Sequence, residues 1–232
     1  MELTPVGLPL DWHEDGTPIF LRGDFIRPAR KMIPHHSVIY DHLMLPEHLH
    51  LLPELRFNLF VLESSKNTTE EIWLGKSAID EKRGYIFGRI IQALDSTGRI
   101  IIQRSSDIGK VNDFIIYSLQ PLQFVVIPAN YECVLLNQSR ETPARFVELQ
   151  SREEVRDVSS LTLLEGSGYR QKIDGKLEPN SNYDELPIPV IKPAFDEFRF
   201  IRRRPLYEMI TSFPQGFDFI DPPNESFYTG SV

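Results

Sequence analysis

The chain has 232 residues, of which 41% are hydrophobic and 11% aromatic, so it is long enough to bury a sizeable core. Its formal net charge of −8 argues against a protein that binds nucleic acid by neutralising phosphates. One cysteine, Cys133, excludes an intrachain disulfide, and the absence of about 18 consecutive apolar residues argues against a membrane protein. Because the N-terminus also lacks a signal-peptide pattern, we predict a soluble, cytoplasmic protein.

Residues 1–56 are predicted to form an N-terminal arm followed by short helices. Two turn signals among scattered prolines predict an extended arm with one or two short strands near Pro18. The apolar spacing that begins at Val38 lies roughly on one helical face and predicts a short helix there. An extended arm needs a surface to lie against, and the sheet edge of a partner subunit is one candidate.

Five of the six histidines stand close together near the end of this arm. His48 and His50, followed by Glu54, fit an H-x-H-x-x-x-E spacing, and on a strand the two histidines would share a face and bind one metal ion. Prolines 46 and 53 flank the stretch, and a proline cannot donate to a central sheet. We therefore favour a turn or helix end with partly exposed histidines and keep a metal site as the alternative.

The region from residue 57 to residue 150 has the pattern of one short strand after another. Each segment is rich in β-branched or aromatic residues and bounded by turn residues, which predicts an all-β jelly roll or closed barrel. The turn Asp95–Gly98 is predicted to join two of the strands as a hairpin, and no long helical periodicity interrupts the series. The predicted strands are Phe57–Glu63, Glu70–Leu74, Gly84–Ala93, Arg99–Arg104, Phe114–Leu119, Phe124–Ile127, Glu132–Leu136 and Arg145–Leu149.

The last third of the chain shows weaker patterns. Ser151 and the acidic residues after it predict a helical turn, and Asp174-Gly175 predicts a small hairpin. Leu186–Pro193 is predicted to be an extended connector, and the residues after it an edge strand or a short helix with a strand. The run Arg202–Arg204 either binds an anion or, as we favour, keeps a sheet edge solvated.

One stretch carries a motif. Pro128, Asn130, Cys133 and Asn137 stand in the order of P-x-G-x-x-H-x-x-x-N, which resembles the second motif of the cupin barrels. In that motif the glycine permits a turn with positive φ, and the histidine binds a metal inside the barrel. Asparagine adopts the left-handed conformation more readily than most residues, so Asn130 can replace the glycine. Cys133 replaces the histidine, so the resemblance implies the scaffold more strongly than the chemistry.

From about residue 10 to residue 183 the chain resembles the cupin-type glucose-6-phosphate isomerases, which are metal-dependent sugar-phosphate isomerases. This resemblance implies a cupin double-stranded β-helix at 57–184, flanked by the N-terminal arm and by a C-terminal extension at 185–232. It also implies a homodimer formed through the arm. The segments that carry the resemblance are Leu55–Leu62, Lys66–Gly75, Phe124–Asn137, Pro143–Gln150 and Asp174–Asn180.

The family's metal ligands are not found at the matching positions. A G-H-x-H segment and a downstream glutamate supply three ligands in the family, but here Gly75 is followed by Lys-Ser-Ala and the glutamate is missing near Tyr85. Cys133 stands in place of the fourth ligand. A lone thiol near a lysine cannot replace three nitrogen ligands and a carboxylate for a divalent ion. We therefore predict a cupin fold without the family's metal site and without a cofactor.

Two functional hypotheses follow. The first is a non-catalytic cupin, a binding or assembly module whose pocket holds a small polar ligand such as a sugar phosphate. The residues expected to line that pocket are Lys76, Tyr85, Cys133, Glu148 and Gln150. The second is an active sugar-phosphate isomerase that holds a divalent Fe, Mn, Zn or Ni ion through His48, His50 and Glu54. A nucleophilic Cys133 would lack a general base, because residues 57–150 contain no histidine.

Overall fold

Strands dominate the computed structural model, which describes residues 11–12, 18–19, 27–29, 38–41, 54–64, 69–78, 86–221 and 223. The described helices are short: α1 (Ser159–Leu163), α2 (Leu206–Ser212) and a 3₁₀ turn at Pro214–Phe217. Within the described residues, no helix is long and apolar enough to cross a membrane.

The described residues of the N-terminal arm form four short strands. Within the described residues, β1 and β2 pair with each other and with no other strand. Strand β3 pairs with β4, and β4 pairs with the first strand of the main body of the protein. The arm therefore extends a sheet of its own chain. These strands are β1 (Asp11–Trp12), β2 (Pro18–Ile19), β3 (Arg27–Ala29) and β4 (Val38–Asp41).

Eight longer strands form the central body. They are β5 (Leu55–Leu62), β6 (Glu70–Ser77), β7 (Arg89–Ala93), β8 (Gly98–Asp107), β9 (Lys110–Leu119), β10 (Phe124–Ile127), β11 (Glu132–Asn137) and β12 (Ala144–Ser151).

These eight strands form two antiparallel sheets packed face to face. Sheet 1 has the order β10-β7-β12-β5 and sheet 2 the order β6-β11-β8-β9. The chain passes from one sheet to the other at every connection except the hairpin between β8 and β9. This is the strand order of a jelly roll, the architecture that cupins share with capsid and lectin domains. The all-β jelly-roll fold predicted from the sequence is confirmed.

Each sheet is widened to six strands by flanking segments. Strands β4 and β3 extend sheet 1 beyond β5, and β13 (Arg156–Asp157) pairs with β6 at one edge of sheet 2. At the other edge β16 (Val190–Pro193) runs parallel to β9. Leu186–Pro193 is therefore partly a strand, although the sequence predicted only a connector.

The strands are buried on both faces because segments from the C-terminal half cover the outside of each sheet. The interior core combines apolar side chains from both sheets, such as Phe60, Ile102 and Phe146. Residues 195–220, which include β17 (Glu197–Phe198), β18 (Ile201–Arg202) and α2, cover the outer face of sheet 1. Helix α1 and the hairpin of β14 (Tyr169–Gln171) and β15 (Leu177–Pro179) cover the outer face of sheet 2. Double burial explains why Phe124–Ile127 is apolar at every position.

Two local predictions are confirmed by backbone geometry. Asn130 has φ of 70°, as expected for a residue that replaces a glycine in a tight turn. The hairpin at Asp174-Gly175 is formed by β14 and β15, and Gly175 has φ of 85°.

Three local predictions are wrong for physical reasons. Asp95–Gly98 is not a hairpin, because β7 belongs to sheet 1 and β8 to sheet 2. Val38–Asp41 is a strand and not a helix, since its β-branched and aromatic residues gain backbone pairing with β5. The helical turn begins at Ser159 and not at Ser151, because Ser151 still pairs with Leu55 at the end of β12.

One buried glutamine, Gln92, anchors residues 195–220 to sheet 1 by hydrogen bonds. The buried Gln92 donates from Nε2 to the carbonyls of Leu122 (3.0 Å) and Arg204 (2.6 Å), and its Oε1 accepts from the N–H of Leu206 (2.7 Å). We expect Gln92→Leu to lower the free energy of unfolding by about 2–4 kcal/mol, because it leaves three polar backbone groups unpaired in the interior.

Urea denaturation measures this change. The control is Gln123→Leu, whose side-chain bonds to Gln120 and Asp196 are exposed to water, and we expect a loss of less than about 1 kcal/mol. Equal losses in the two variants would contradict an anchoring role for Gln92.

Candidate functional site

Polar side chains gather at one end of the barrel interior. Arg56 and Asn58 lie two residues apart on β5, and Glu148 and Gln150 lie two residues apart on β12. The strand register places Glu148 opposite Asn58 and Gln150 opposite Arg56. Since residues two apart share a face, all four side chains belong to the face that is apolar further along the same strands.

Arg89, the first residue of β7, lies in the middle of this group and is 1% exposed. Its Nη2 donates to the carbonyl of Gly75 (2.7 Å) and lies 3.8 Å from Glu154 Oε1, while Nη1 lies 3.6 Å from Glu148 Oε1. Burial by itself lowers the pKa of Arg89, but the charges of Glu154 and Glu148 outweigh it and hold that pKa above its ordinary value. Arg89 is a buried cation held between two carboxylates.

A second guanidinium group, that of Arg156 on β13, completes this group of polar side chains. Arg156 Nη2 donates to Glu148 Oε2, which also accepts from Asn58 Nδ2 (2.9 Å). With its amide oxygen turned towards the arginines, Gln150 accepts from Arg156 Nη2 (3.2 Å) and donates to Glu154 Oε2 (2.5 Å). We call Asn58, Arg89, Glu148, Gln150, Glu154 and Arg156 the interior charge network.

Glu154 is the carboxyl group of the network that burial disturbs most clearly. It is 3% exposed, and its Oε1 lies 2.7 Å from Ser77 Oγ. Burial raises the pKa of Glu154, and the positive charge of Arg89 offsets part of this effect. The ionised form of Glu154 therefore depends on its neighbouring arginines.

Cys133 lies beside the network, and its thiol is not ionised at neutral pH. It occupies the interior face of β11, is 0% exposed and pairs with Gly75 in the register of β11 and β6. Burial raises the pKa of its thiol to about 12, against the opposing effect of the Arg89 charge. The thiol is therefore protonated at physiological pH, and the reactive thiolate form is disfavoured.

Gly75 explains why this end of the barrel closes tightly. It has φ of 65°, and a Cβ atom there would overlap with the backbone of Asp157 in β13. A residue without a side chain lets β13 approach, and β13 carries Arg156 into the interior.

These residues do not fit a divalent metal ion. Among the described residues, no group of three or more His, Cys, Asp or Glu side chains is arranged to hold one. The resemblance places the metal near Gly75 and Cys133, and Arg89 lies there with its own positive charge. Glu148 and Glu154 are already engaged by guanidinium groups. A metal ion would have to overcome the repulsion of these guanidinium groups and displace their hydrogen bonds.

The residues predicted for a ligand pocket separate into three groups. Cys133, Glu148 and Gln150 come together in the barrel interior. Lys76 is partly exposed on β6, and its charge acts on Glu132 and Asp157. Tyr85 lies outside the described residues.

The alternative metal ligands are only partly described. Glu54 is exposed in the turn before β5, while His48 and His50 lie outside the described residues. The metal site at these three residues stays a prediction.

The three arginines at 202–204 have different environments. Arg202 pairs with Glu197 (3.2 Å) and Arg203 with Asp196 (3.1 Å), so these two charges are compensated at the surface. Arg204 is exposed and lines a shallow pocket of about 160 Å³ together with aromatic side chains that include Phe213.

Sequence reasoning missed Arg89, Glu154 and Arg156, which hold the network together. Glu154 lies in a stretch whose acidic residues and Ser151 resembled a helix start. A signal was present nonetheless, because Arg56 and Asn58 on β5 and Glu148 and Gln150 on β12 form pairs of polar residues spaced by two on strands rich in apolar residues. Such pairs on buried strands indicate a polar group in the interior that needs buried partners.

Comparison with known proteins gives information on the fold of this chain and little on its function. No protein-family model and no curated protein matches the sequence. The chain is similar to a cupin-2 domain from Rhodospirillum rubrum, with 8% identity and a TM-score of 0.38 over 63% of this chain and 86% of that one.

Two longer proteins show likeness of the same degree. A vicilin from Corylus avellana (hazelnut) is 9% identical, with a TM-score of 0.38 over 56% of this chain and 32% of that chain. An oxalate decarboxylase from Bacillus subtilis is 12% identical, with a TM-score of 0.32 over 49% and 24%. The matched part therefore spans a third or less of both longer chains. These scores carry no functional argument, and the strand order by itself defines the class of this protein as an all-β jelly roll.

The interior charge network predicts a pH-dependent loss of stability. We expect Arg89→Met to lower the free energy of unfolding by about 3–5 kcal/mol near neutral pH, because two buried carboxylates lose their cation. Without Arg89 the already raised pKa of Glu154 rises further. Glu154 in the folded variant then binds a proton at a higher pH than it does in the unfolded chain. The loss of unfolding free energy relative to the unsubstituted protein therefore becomes smaller as the pH falls towards 4.5, the pKa of the glutamate in the unfolded chain.

Urea denaturation at several pH values measures this deficit against the unsubstituted protein. The matched control is Arg104→Met, which removes an exposed ion pair to Asp113 (2.5 Å), and we expect it to cost less than about 1 kcal/mol. Adding Glu154→Gln to Arg89→Met should recover part of the loss. A deficit that does not change with pH would contradict the assignment.

Proposed function

We propose that this protein is a non-catalytic relative of the cupin-type glucose-6-phosphate isomerases, and that it retains the barrel as a binding or assembly module. The observation that carries the proposal is the buried Arg89 guanidinium, bound to the carbonyl of Gly75 and placed between Glu148 and Glu154. A fixed side-chain cation occupies the place where the sequence resemblance puts a metal ion.

The chemical requirements of an aldose–ketose isomerase also favour a non-catalytic protein. Such a reaction needs a base that removes a proton beside a carbonyl group and an electrophile that stabilises the enediolate. Glu148 accepts hydrogen bonds from Asn58 and Arg156, so its carboxylate oxygens are already engaged by groups of the chain. Glu154 has the raised pKa of a general base, but it is buried and bound to Ser77. Neither carboxylate is open to a substrate.

The proposal predicts that purified protein holds no stoichiometric metal and has no isomerase activity. Elemental analysis of protein purified without chelator should give substoichiometric Fe, Mn, Zn and Ni, and a coupled assay with fructose 6-phosphate should give the background rate. The double variant His48→Ala/His50→Ala is the control and should behave in the same way. A stoichiometric metal that is lost in the double variant, together with isomerase activity, would overturn the proposal in favour of the histidine metal site.

We also propose a homodimer formed through the N-terminal arm. Within the described residues, β3 forms the outer edge of sheet 1 and presents an unpaired strand edge. Light scattering coupled to size exclusion should give twice the chain mass of 26.9 kDa. Removing residues 1–36 should convert the protein to a monomer, and a monomeric mass for the full chain would contradict this part of the proposal.

A further inference from the structure

A pocket of about 160 Å³ opens to solvent within residues 195–220, the segment that covers the outer face of sheet 1. Helix α2 supplies Glu208 and Met209 to its lining, and Phe213 follows directly after the last turn of the helix. Met209 and Phe213 are four residues apart, so they lie on the same side of the helix. Charged and apolar side chains therefore stand next to each other on one wall of the pocket.

Three phenylalanine rings and Met209 form the apolar part of the lining. The Phe200 ring meets the rings of Phe213 and Phe217 edge to face, with centroids 5.9 and 5.5 Å apart. Phe213 is 53% exposed, although an aromatic ring gains free energy from burial. A Cβ atom on Gly216 would lie 2.4 Å from the Phe213 ring, so the backbone there supports the ring in its exposed position. A ring held in this way can pack against the ring of a ligand.

The volume of the pocket matches a single ring. An apolar cavity of about 150 Å³ holds one benzene molecule, so a pocket of about 160 Å³ has room for one six-membered ring. Arg204 is exposed and Glu208 partly exposed, so both charged groups lie where the pocket meets solvent. The shape therefore favours a ligand with one aromatic ring inside the pocket and a polar end at its mouth.

Arg204 and Glu208 bring opposite charges to the pocket without pairing with each other. Arg202 also lines the pocket, but its charge is compensated by Glu197 at 3.2 Å. Within the described part of the chain, neither the Arg204 guanidinium nor the Glu208 carboxylate has an ion-pair or hydrogen-bond partner. A ligand with one charge satisfies one of these groups and is repelled by the other, whereas a zwitterion satisfies both.

We propose that this pocket binds a free aromatic α-amino acid with one ring, such as phenylalanine. The ring packs against Phe200 and Phe213, the α-carboxylate binds the guanidinium of Arg204, and the α-ammonium binds the carboxylate of Glu208. The planar guanidinium matches the two oxygens of a carboxylate. A phenylalanine inside a peptide carries neither charge, so the pocket distinguishes the free amino acid from a protein segment. The site lies outside the barrel and does not depend on whether the barrel interior is catalytic.

Titration of the full chain followed by amide NMR shifts tests the proposal with four probes: L-phenylalanine, 3-phenylpropionate, 2-phenylethylamine and L-alanine. L-Phenylalanine should bind saturably and shift the amides of Met209 and Ser212. The second probe lacks the ammonium and the third lacks the carboxylate, so each should bind about tenfold more weakly. L-Alanine lacks the ring and should give no saturable shifts. Equal affinity for the four probes, or no binding of L-phenylalanine, would overturn the proposal.

Substitution of the two charged groups assigns each end of the ligand. Arg204→Gln should weaken binding of L-phenylalanine about tenfold and leave 2-phenylethylamine, which has no carboxylate, bound at least as tightly as before. Glu208→Gln should weaken binding of L-phenylalanine and 2-phenylethylamine but not of 3-phenylpropionate, which has no ammonium. Losses that do not depend on which charge the ligand carries would overturn the assignment.

The matched control is Arg203→Gln, at the residue beside Arg204. Arg203 is exposed, pairs with Asp196 at 3.1 Å and does not line the pocket, so this variant should bind all probes as the unsubstituted protein does. An equal loss in the two arginine variants would indicate a general effect of net charge and overturn the role of Arg204. These titrations are read independently of metal content and isomerase activity, so this proposal and the proposed function fail or survive separately.

Discussion

The buried ion pairs of Arg89 with Glu148 and Glu154 are the constraint on which this end of the barrel depends. A carboxylate removed from water must keep a cation nearby, or it must take up a proton. A metal ion is one such cation and a guanidinium is another. Because Arg89 is part of the chain, its charge is present as soon as β7 takes its place in sheet 1, whereas a metal must be acquired. The guanidinium also offers no open coordination position, so it can stabilise buried carboxylates without acting as a Lewis acid.

The two ends of the barrel are cross-linked by two different side chains. At one end Arg89 of sheet 1 donates to the carbonyl of Gly75 in sheet 2. At the other end Asn137 of sheet 2 donates to the carbonyl of Leu62 at the end of β5 in sheet 1. Between them the sheets are joined by apolar side chains, which pack without directional preference. The polar contacts at the ends therefore help to set the register of one sheet against the other.

The fold was largely predictable from the sequence because strand patterns and turn residues act locally. Asn130 shows this best, since its place in a four-residue motif was enough to predict a positive φ. Asp95–Gly98 shows the limit, because a turn sequence does not reveal whether the strands on either side pair or pass to opposite sheets. The candidate site was predictable only in part. Cys133 was found from its place in a known motif, and Glu148 and Gln150 were predicted to face the interior beside it. Their partners Glu154 and Arg156 lie in a connection whose path is decided by tertiary contacts.

The covering of sheet 1 by residues 195–220 affects how the chain can be divided. Side chains such as Ile201, Tyr207 and Phe217 are buried against strands that also face the barrel interior. A fragment that stops at residue 184 would leave this apolar sheet surface open to water, and fragments with such surfaces aggregate. During synthesis the same surface stays uncovered until residues 195–220 have left the ribosome. The strands of sheet 1 are therefore made well before the segment that covers them.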